Sequence, residues 1–270
     1  MTTPRQRALI TGASSGIGLE FAEQLARDGF DLVIVARRHD RLETLAQRLR
    51  SSADVEILTA DLSQPEDVAK VEARLSQQDD SISLLVNNAG FGGYKPFIEL
   101  KPEQADELIR LMVVTPTRLL RAVLPGMIGR GSGAIINVAS LLALSGTMPP
   151  VLGKFRMPTR ATYAGAKSYI VTFTQTLAHE LAGTGVKVQV CLPGLVSTEF
   201  LTVQGIDPTM MPPMMSAADL VAGSLAGLAR DEVICVPGLD DPSMFANIGE
   251  AQRAVFMAGN KPTLAPRYNG

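Results

Sequence analysis

Short runs of β-branched and aliphatic residues alternate along the chain with longer stretches whose apolar positions recur every three or four residues. The short runs read as strands at 7–11, 31–36, 56–60, 82–88, 133–140, 186–192 and 232–236. The periodic stretches read as helices at 16–28, 39–50, 65–77, about 103–126, about 162–182 and near 216–229. Strand and helix alternate so regularly that the expected architecture is α/β: a doubly wound, mostly parallel sheet, a Rossmann-type fold of about seven strands with helices on both faces. No Gly/Ser-rich linker and no internal repeat divides the chain, so residues 1–270 are expected to form a single domain. Looser segments are expected after the strand at 186–192 and in a variable C-terminal part at about 241–270. In open α/β sheets, ligands bind beyond the carboxyl ends of the strands.

The chemistry-bearing residues fall at those ends. After the first strand comes "ITGASSGIG", in which Gly12, Gly16 and Gly18 permit a tight turn and close backbone approach. The helix that starts there offers free N–H groups and the positive end of its dipole to a pyrophosphate. An ordinary Gly-rich turn is the alternative, and the spacing G-x-x-x-G-x-G differs from the commoner dinucleotide fingerprint. At the end of the second strand, where an acid would hold a ribose 2′-OH, the chain has Ala36, Arg37 and Arg38. Arginine there suits a 2′-phosphate, with Ser14 as a further donor, so NADP(H) is the expected cofactor. Arg41 reads as part of a solvated helix start. Tyr163 and Lys167 stand four positions apart, on one face of a helix. They are either an acid–base unit, in which the ammonium favours phenolate, or helix packing.

Composition narrows the function classes. Of the 270 residues 46% are hydrophobic and 19% charged, which is globular composition, and the net charge of −2 gives no footprint for nucleic acid. The start lacks a signal peptide's apolar run, and no stretch reaches the ~18 apolar residues of a membrane span. A cytoplasmic setting is expected. Cys191 and Cys235 lie in two short β-like runs and are expected to be buried and reduced. No His/Cys/carboxylate cluster has metal-ligand spacing, and His39 and His179 read as surface or helix-face residues.

Six motifs in order, "TGASSGIG" (11–18), "DL" (61–62), "NNAG" (87–90), "NVAS" (137–140), "YAGAK" (163–167) and "PGLVST" (193–198), make roughly 5–240 resemble the short-chain dehydrogenase/reductase family. The resemblance implies that Ser14, Ser15, Ile17, Arg37 and Arg38 join the three glycines around the cofactor. It implies that Asp61 and Leu62 flank the adenine, and that Asn87, Ala89 and Gly90 line the cofactor. Pro193, Gly194, Val196 and Thr198 would also bind the cofactor, Thr198 at its carboxamide, and the segment at about 198–220 would match the family's variable substrate lid. Ser140, Tyr163 and Lys167 resemble the catalytic residues. Tyr163 would then donate the proton that a reduced ketone needs, its pKa lowered from ~10 by Lys167 and the nicotinamide charge. Lys167 would also hold the ribose hydroxyls, and Ser140 the carbonyl oxygen.

Two departures from the family stand out. Its usual asparagine in the long fourth helix, which helps anchor a relay water, is replaced by Met112, with Thr115 and Pro116 nearby to distort the helix. An asparagine restored there would be expected to raise the rate. The segment between Ser140 and Tyr163 is longer than the family pattern by about ten residues, a length at which loops are often functional. Met148, Val151, Leu152, Phe155 and Met157 could form an apolar lid, and Lys154, Arg156 and Arg160 could meet an acidic substrate; a surface excursion or an oligomer contact are the alternatives. Met210, Met211, Met214 and Met215 favour an apolar substrate. Tyr94 could line the pocket or simply pack. Together these imply a ketone/secondary-alcohol oxidoreductase, with a 3-ketoacyl or lipid-like ketone reductase, or a weakly catalytic NADPH-binding sensor or scaffold, as alternatives. The outer helices are expected to pair copies into a homodimer or homotetramer through Leu119, Leu120, Val123, Ile170 and Phe173.

Overall fold

A computed structural model describes residues 5–268 except 93, 150, 153, 154, 208 and 210; the side chains of 152, 155 and 156 lie outside the description. Five strands form where the β-branched runs predict them: β1 (Arg7–Thr11), β2 (Asp31–Ala36), β3 (Val55–Thr59), β4 (Ile82–Asn87) and β5 (Gly133–Val138). A hairpin of β6 (Val151–Leu152) and β7 (Phe155–Arg156) interrupts the series before β8 (Val186–Cys191). The short pair β9 (Val196–Ser197) and β10 (Met215–Ser216) precedes β11 (Ile234–Cys235). The main sheet is entirely parallel, ordered β11-β8-β5-β4-β1-β2-β3. The order reverses between β1 and β4, so a crevice opens at their carboxyl ends.

Helices cover both faces. On one face α1 (Gly16–Arg27), α2 (His39–Leu49) and α8 (Ala217–Ala229) bury Phe21, Leu25, Leu42, Leu45, Leu220 and Val221 against Ile10, Ile34 and Ile136. On the other, α3 (Pro65–Leu75), the run Pro102–Arg130 and α6 (Ala161–Glu180) bury Val71, Leu119, Val123, Met127 and Leu177 against Leu9, Val33, Leu85 and Val188. Strands buried on both faces explain why they read as continuous apolar runs rather than alternating ones.

The long fourth helix is not continuous. α4 (Pro102–Ile109) passes through one π-helical turn (Arg110–Val114) into α5 (Thr115–Arg130). Pro116 has no N–H for the turn before it, and a widened turn accommodates that loss. Thr115 Oγ1 donates to Leu62 O at 2.7 Å and pins the junction to the loop after β3. By length and composition the run Pro102–Arg130 could cross a bilayer, contrary to the sequence expectation, but its apolar side faces the sheet. Burial also overturns the expected pairing surface. Leu119, Leu120, Val123 and Ile170 are 0–3% exposed within this one chain and are consumed by its own core. Helical periodicity alone does not tell how wide a face the core will cover.

Cys191 and Cys235 are directly paired across β8 and β11 as free, buried thiols, and the hydrogen bond to Cys235 together with burial pushes the Cys191 thiol up. The inserted segment after β5 forms 3-10 turns over Leu141–Thr147 and then the β6–β7 hairpin. Met148 and Val151 are exposed; Lys154 and the side chains of Leu152, Phe155 and Arg156 lie outside the described residues, as does Met210. Arg160 does not face outward as a substrate ligand: Nε donates to Ser145 Oγ at 2.6 Å and Nη2 to Ser145 O at 3.0 Å, so it staples the segment internally. Met215 packs on the sheet core. The chain divides into two compact units, Met1–Pro237 and Gly238–Gly270, the second built on α9 (Ser243–Gly259), none of whose residues is buried.

Candidate active site and dinucleotide crevice

The first and third motifs are tied together at the carboxyl ends of β1 and β4. Thr11 Oγ1 accepts the Asn88 and Ala89 N–H groups at 2.9 and 3.1 Å and donates to Val86 O, while Asn88 Nδ2 donates to Thr11 O at 3.0 Å. Neither Thr11 nor Asn88 stands out from sequence as a site residue, although both lie inside the quoted motifs. Gly12, at φ +70°, and Gly18 are enforced by this closeness: a Cβ on Gly18 would lie 2.4 Å from Gly12 O, and one on Gly12 2.8 Å from Asn88 Nδ2. Ile17 packs on the core beside α1. Ser15 caps α1 without spending its hydroxyl on the helix. The helix N-terminus and the serine hydroxyls therefore face the same opening.

Around that opening, Arg37 is 63% exposed, with its nearest acid, Asp61, at 4.0 Å. Asp61 is fixed by accepting from Ser63 N and Oγ at 3.0 and 2.8 Å, and Leu62 is buried. Arg38 rather than Arg37 binds the serines, donating to Ser14 Oγ at 2.9 Å and to Ser15 Oγ at 2.7 Å. Arg41 corrects the expectation of a merely solvated residue, since it chelates both oxygens of Glu199 at 2.7 and 2.8 Å. Two arginines thus already hold a carboxylate, and one of them also holds two serine hydroxyls, a donor set that fits a phosphate group.

On the substrate side, Ser140, Tyr163 and Lys167 are all buried. Ser140 leaves the end of β5, and its Oγ accepts Leu142 N at 3.1 Å. Tyr163 and Lys167 come from the first turns of α6. The Ser140 and Tyr94 hydroxyls lie beside that of Tyr163, and the Tyr94 ring meets the Tyr163 ring edge-on at 5.3 Å. Tyr94 thus packs directly on Tyr163. Lys167 Nζ donates to Val138 O at 2.8 Å.

The charges differ from expectation in one respect. Burial raises the Tyr163 pKa, and only the Ser140 and Tyr94 hydrogen bonds oppose it. The Lys167 ammonium is not among the causes that lower it; Nζ lies 5.8 Å from the ring centroid, and burial holds Lys167 itself down at about 8. A phenol kept protonated at neutral pH can give a proton to a ketone oxygen. Ser168 and Tyr169 take no part: Ser168 Oγ donates to backbone carbonyls, and Tyr169 stacks on Phe173.

A polar seam supports these residues from within the sheet. Asn87 Nδ2 donates to Asn137 Oδ1 at 2.9 Å, Asn137 Nδ2 to Thr174 Oγ1 at 3.0 Å, and Thr174 Oγ1 to Ile170 O at 2.7 Å. Among the described residues Asn87 Oδ1 is buried with no partner, beside a cavity of about 20 Å³ lined by Thr11, Asn87, Met112 and Lys167. Met112 packs with Leu108, Tyr163 and Ala166. An amide placed there would lose those contacts and bury polar atoms, so Met112→Asn is expected to cost about 1–3 kcal/mol of stability in chemical denaturation.

The "PGLVST" segment closes the crevice. Pro193 O accepts Leu141 N at 2.9 Å, Gly194 passes Leu141, and Val196 is buried in β9. Thr198 Oγ1 caps α7 (Glu199–Val203), and its Cβ lies 3.3 Å from where a Cβ on Gly16 would be. Ala89 is half-buried and Gly90 is exposed at the same crevice.

Comparison with known proteins agrees with this arrangement. A family model described as short chain dehydrogenase matches residues 6–207. A short chain dehydrogenase of Pseudocercospora fijiensis is 35% identical over 196 residues, 71% of this chain and 60% of that protein. A very-long-chain 3-oxoacyl-CoA reductase of Podospora anserina is 33% identical over 207 residues, 73% of this chain and 56% of that protein. The chain thus matches less than two thirds of the length of these two relatives. Among solved structures, a short-chain dehydrogenase from Sphingobium yanoikuyae in complex with NADPH is 37% identical with a TM-score of 0.89, over 97% of this chain and 100% of that one. A bulky-bulky ketone specific alcohol dehydrogenase from Comamonas testosteroni is 32% identical with a TM-score of 0.87, over 98% of this chain and 99% of that one.

Proposed function

Because the chain belongs to the short-chain dehydrogenase family of oxidoreductases, we propose that it uses NADP(H) to interconvert a ketone and a secondary alcohol on an apolar substrate, with Tyr163 as proton donor and acceptor. The observation that carries this reading is the buried Tyr163 at the carboxyl end of the sheet, with the Ser140 and Tyr94 hydroxyls beside its own. The dinucleotide, when bound, supplies or takes the hydride. The rest is alignment by this chain's own side chains. Ser140 and Tyr163 hydroxyls would hold the carbonyl oxygen. Tyr163 would give it a proton as negative charge develops, and Tyr94 would stabilise the phenolate left behind. Leu142, Phe91 and Phe200, packed beside Tyr163, give the reacting oxygen an apolar surround that excludes water.

A lipid-like or bulky ketone is the favoured substrate class. The apolar residues around Tyr163 support it, and so do the names of the Podospora reductase and the Comamonas dehydrogenase. The test is NADPH oxidation with a panel of small, bulky and 3-oxoacyl ketones. Turnover concentrated on the larger members is expected, and no turnover on any would leave a binding protein.

The cofactor preference is expected to reside in Arg37 and Arg38. Removing one charge-assisted phosphate contact costs ~1.5–3 kcal/mol, roughly 10- to 150-fold in affinity. Arg37→Ala and Arg38→Ala should each weaken NADPH by amounts in this range and leave NADH almost unchanged in fluorescence titrations. Equal affinity of the native protein for both cofactors would overturn the preference.

A further inference from the structure

The strongest concentration of charge outside the catalytic group lies at the carboxyl end of β2 and includes an acid brought from a distant part of the chain. Glu199 opens α7, directly after the cap residue Thr198. Its Oε1 lies 3.0 Å from Arg38 Nη1 and 2.7 Å from Arg41 Nη1, and its Oε2 lies 2.8 Å from Arg41 Nη1. The nearby Ser15 hydroxyl helps to lower the pKa of the same carboxylate. The Arg38 fork reaches in the other direction to Ser14 and Ser15. One carboxylate therefore sits among two guanidinium groups and a hydroxyl that come from the glycine turn and the start of α2. With the Arg41 hydrogen bond as the main cause, the cluster holds the Glu199 carboxyl down at about 2, so it is ionised at every physiological pH.

Forked guanidinium groups beside serine hydroxyls are also what a phosphate monoester requires. We propose that Glu199 is an internal occupant of the 2′-phosphate subsite, a carboxylate on the lid helix that the cofactor's 2′-phosphate must displace. The inference rests on the NADP(H) reading and deepens it. Two anions cannot share one set of donors without repulsion, so occupancy by phosphate and by Glu199 is mutually exclusive.

Displacement has a mechanical result. Phe200, the next residue of α7, meets the Tyr94 ring edge-on at 6.3 Å, and Tyr94 in turn meets Tyr163. Release of Glu199 loosens the helix that carries Phe200, so arrival of a 2′-phosphate is transmitted to the wall around the reacting oxygen. A dinucleotide without that phosphate leaves the tether closed. Discrimination then has two parts: the hydrogen bonds that the phosphate itself makes and the state of the lid that it sets.

The test uses 2′,5′-ADP, which carries the 2′-phosphate but no nicotinamide, and 5′-AMP, which has neither. Both are titrated calorimetrically into the native protein and Glu199→Gln. The side chains involved are partly exposed and screened, so the expected gain is modest: Glu199→Gln tightens 2′,5′-ADP by at least about threefold and leaves 5′-AMP unchanged. Unchanged or weaker 2′,5′-ADP binding would show that Glu199 merely organises the arginines, and the proposal would fall. Native protein that binds 2′,5′-ADP no better than 5′-AMP would remove the NADP(H) reading itself, and the inference with it. The lid coupling has its own readout. Hydrogen exchange of the 199–203 amides should quicken when the native protein is saturated with 2′,5′-ADP and not with 5′-AMP. Equal exchange in the two complexes would sever the lid from the phosphate subsite.

Discussion

Tyr163→Phe lowers ketone reduction by at least ~10²-fold while leaving folding and cofactor binding intact, the scale expected when a positioned proton donor is lost. The substitution removes one oxygen and keeps the ring. The ring's contacts with Leu108, Met112 and Ala166 persist, as does its edge-on packing with Tyr94. Ser140 Oγ retains the Leu142 N–H, so no acceptor is stranded there. The expected change in stability is within about 1 kcal/mol, typical of one neutral hydrogen bond. The decisive measurement is NADPH oxidation with the best ketone of the panel, at matched cofactor saturation. Undiminished turnover would remove Tyr163 from the chemistry and return its spacing with Lys167 to simple helix packing.

Lys167→Met separates stability from activity in the opposite direction. The Lys167 ammonium is 6% exposed, and its one hydrogen bond among the described residues is to Val138 O. Burial lowers its pKa from 10.5 to about 8. Below about pH 8 the lysine is protonated in both states, and the folded state carries the full cost of burying the charge. Between about 8 and 10.5 the folded state gives up the proton while the unfolded chain keeps it, so stability rises with pH through that window. The rise is of order 3 kcal/mol when complete. Methionine removes the charge but also strands Val138 O, so a gain of about 1–2 kcal/mol at neutral pH is expected. Turnover and cofactor affinity both fall. Denaturation curves of the two proteins from pH 7 to 10.5 read the difference directly. If the native protein and Lys167→Met depend on pH in the same way, Lys167 does not bear that cost.

The parallel sheet was legible because each central strand is buried on both faces, and a run such as "DLVIVA" has no reason to exist otherwise. The break before α5 was legible in outline, since Pro116 cannot serve a regular turn, but the π form it takes depends on Thr115 finding Leu62 O. The site was legible where its chemistry is local in sequence, as in the glycine turn and the Tyr163–Lys167 pair. It was illegible where partners meet only in space. Nothing in "VSTEF" announces that Glu199 reaches Arg38 across 161 residues. The pKa of Tyr163 departs from the sequence expectation for a related reason. Spacing on a helix sets the distance to Lys167, but burial, set by the whole fold, outweighs it.

Asn137 and Thr174 give α6 a mechanical index. Both are fully buried, and each satisfies the other only in the observed alignment of helix and sheet. Sliding α6 by one residue would shift it about 1.5 Å and turn it by roughly 100°, carrying Thr174 away from the Asn137 amide. A buried donor left unmade costs ~1–3 kcal/mol, so the helix has one seated position and no neighbouring one of similar energy. Tyr163 lies about three turns up the same rigid rod, and its hydroxyl inherits that seating. Errors of about 1 Å at a reacting centre can cost 10²-fold in rate. The placement of the Tyr163 hydroxyl is therefore gauged at the middle of the sheet, by an amide and a hydroxyl of the buried core.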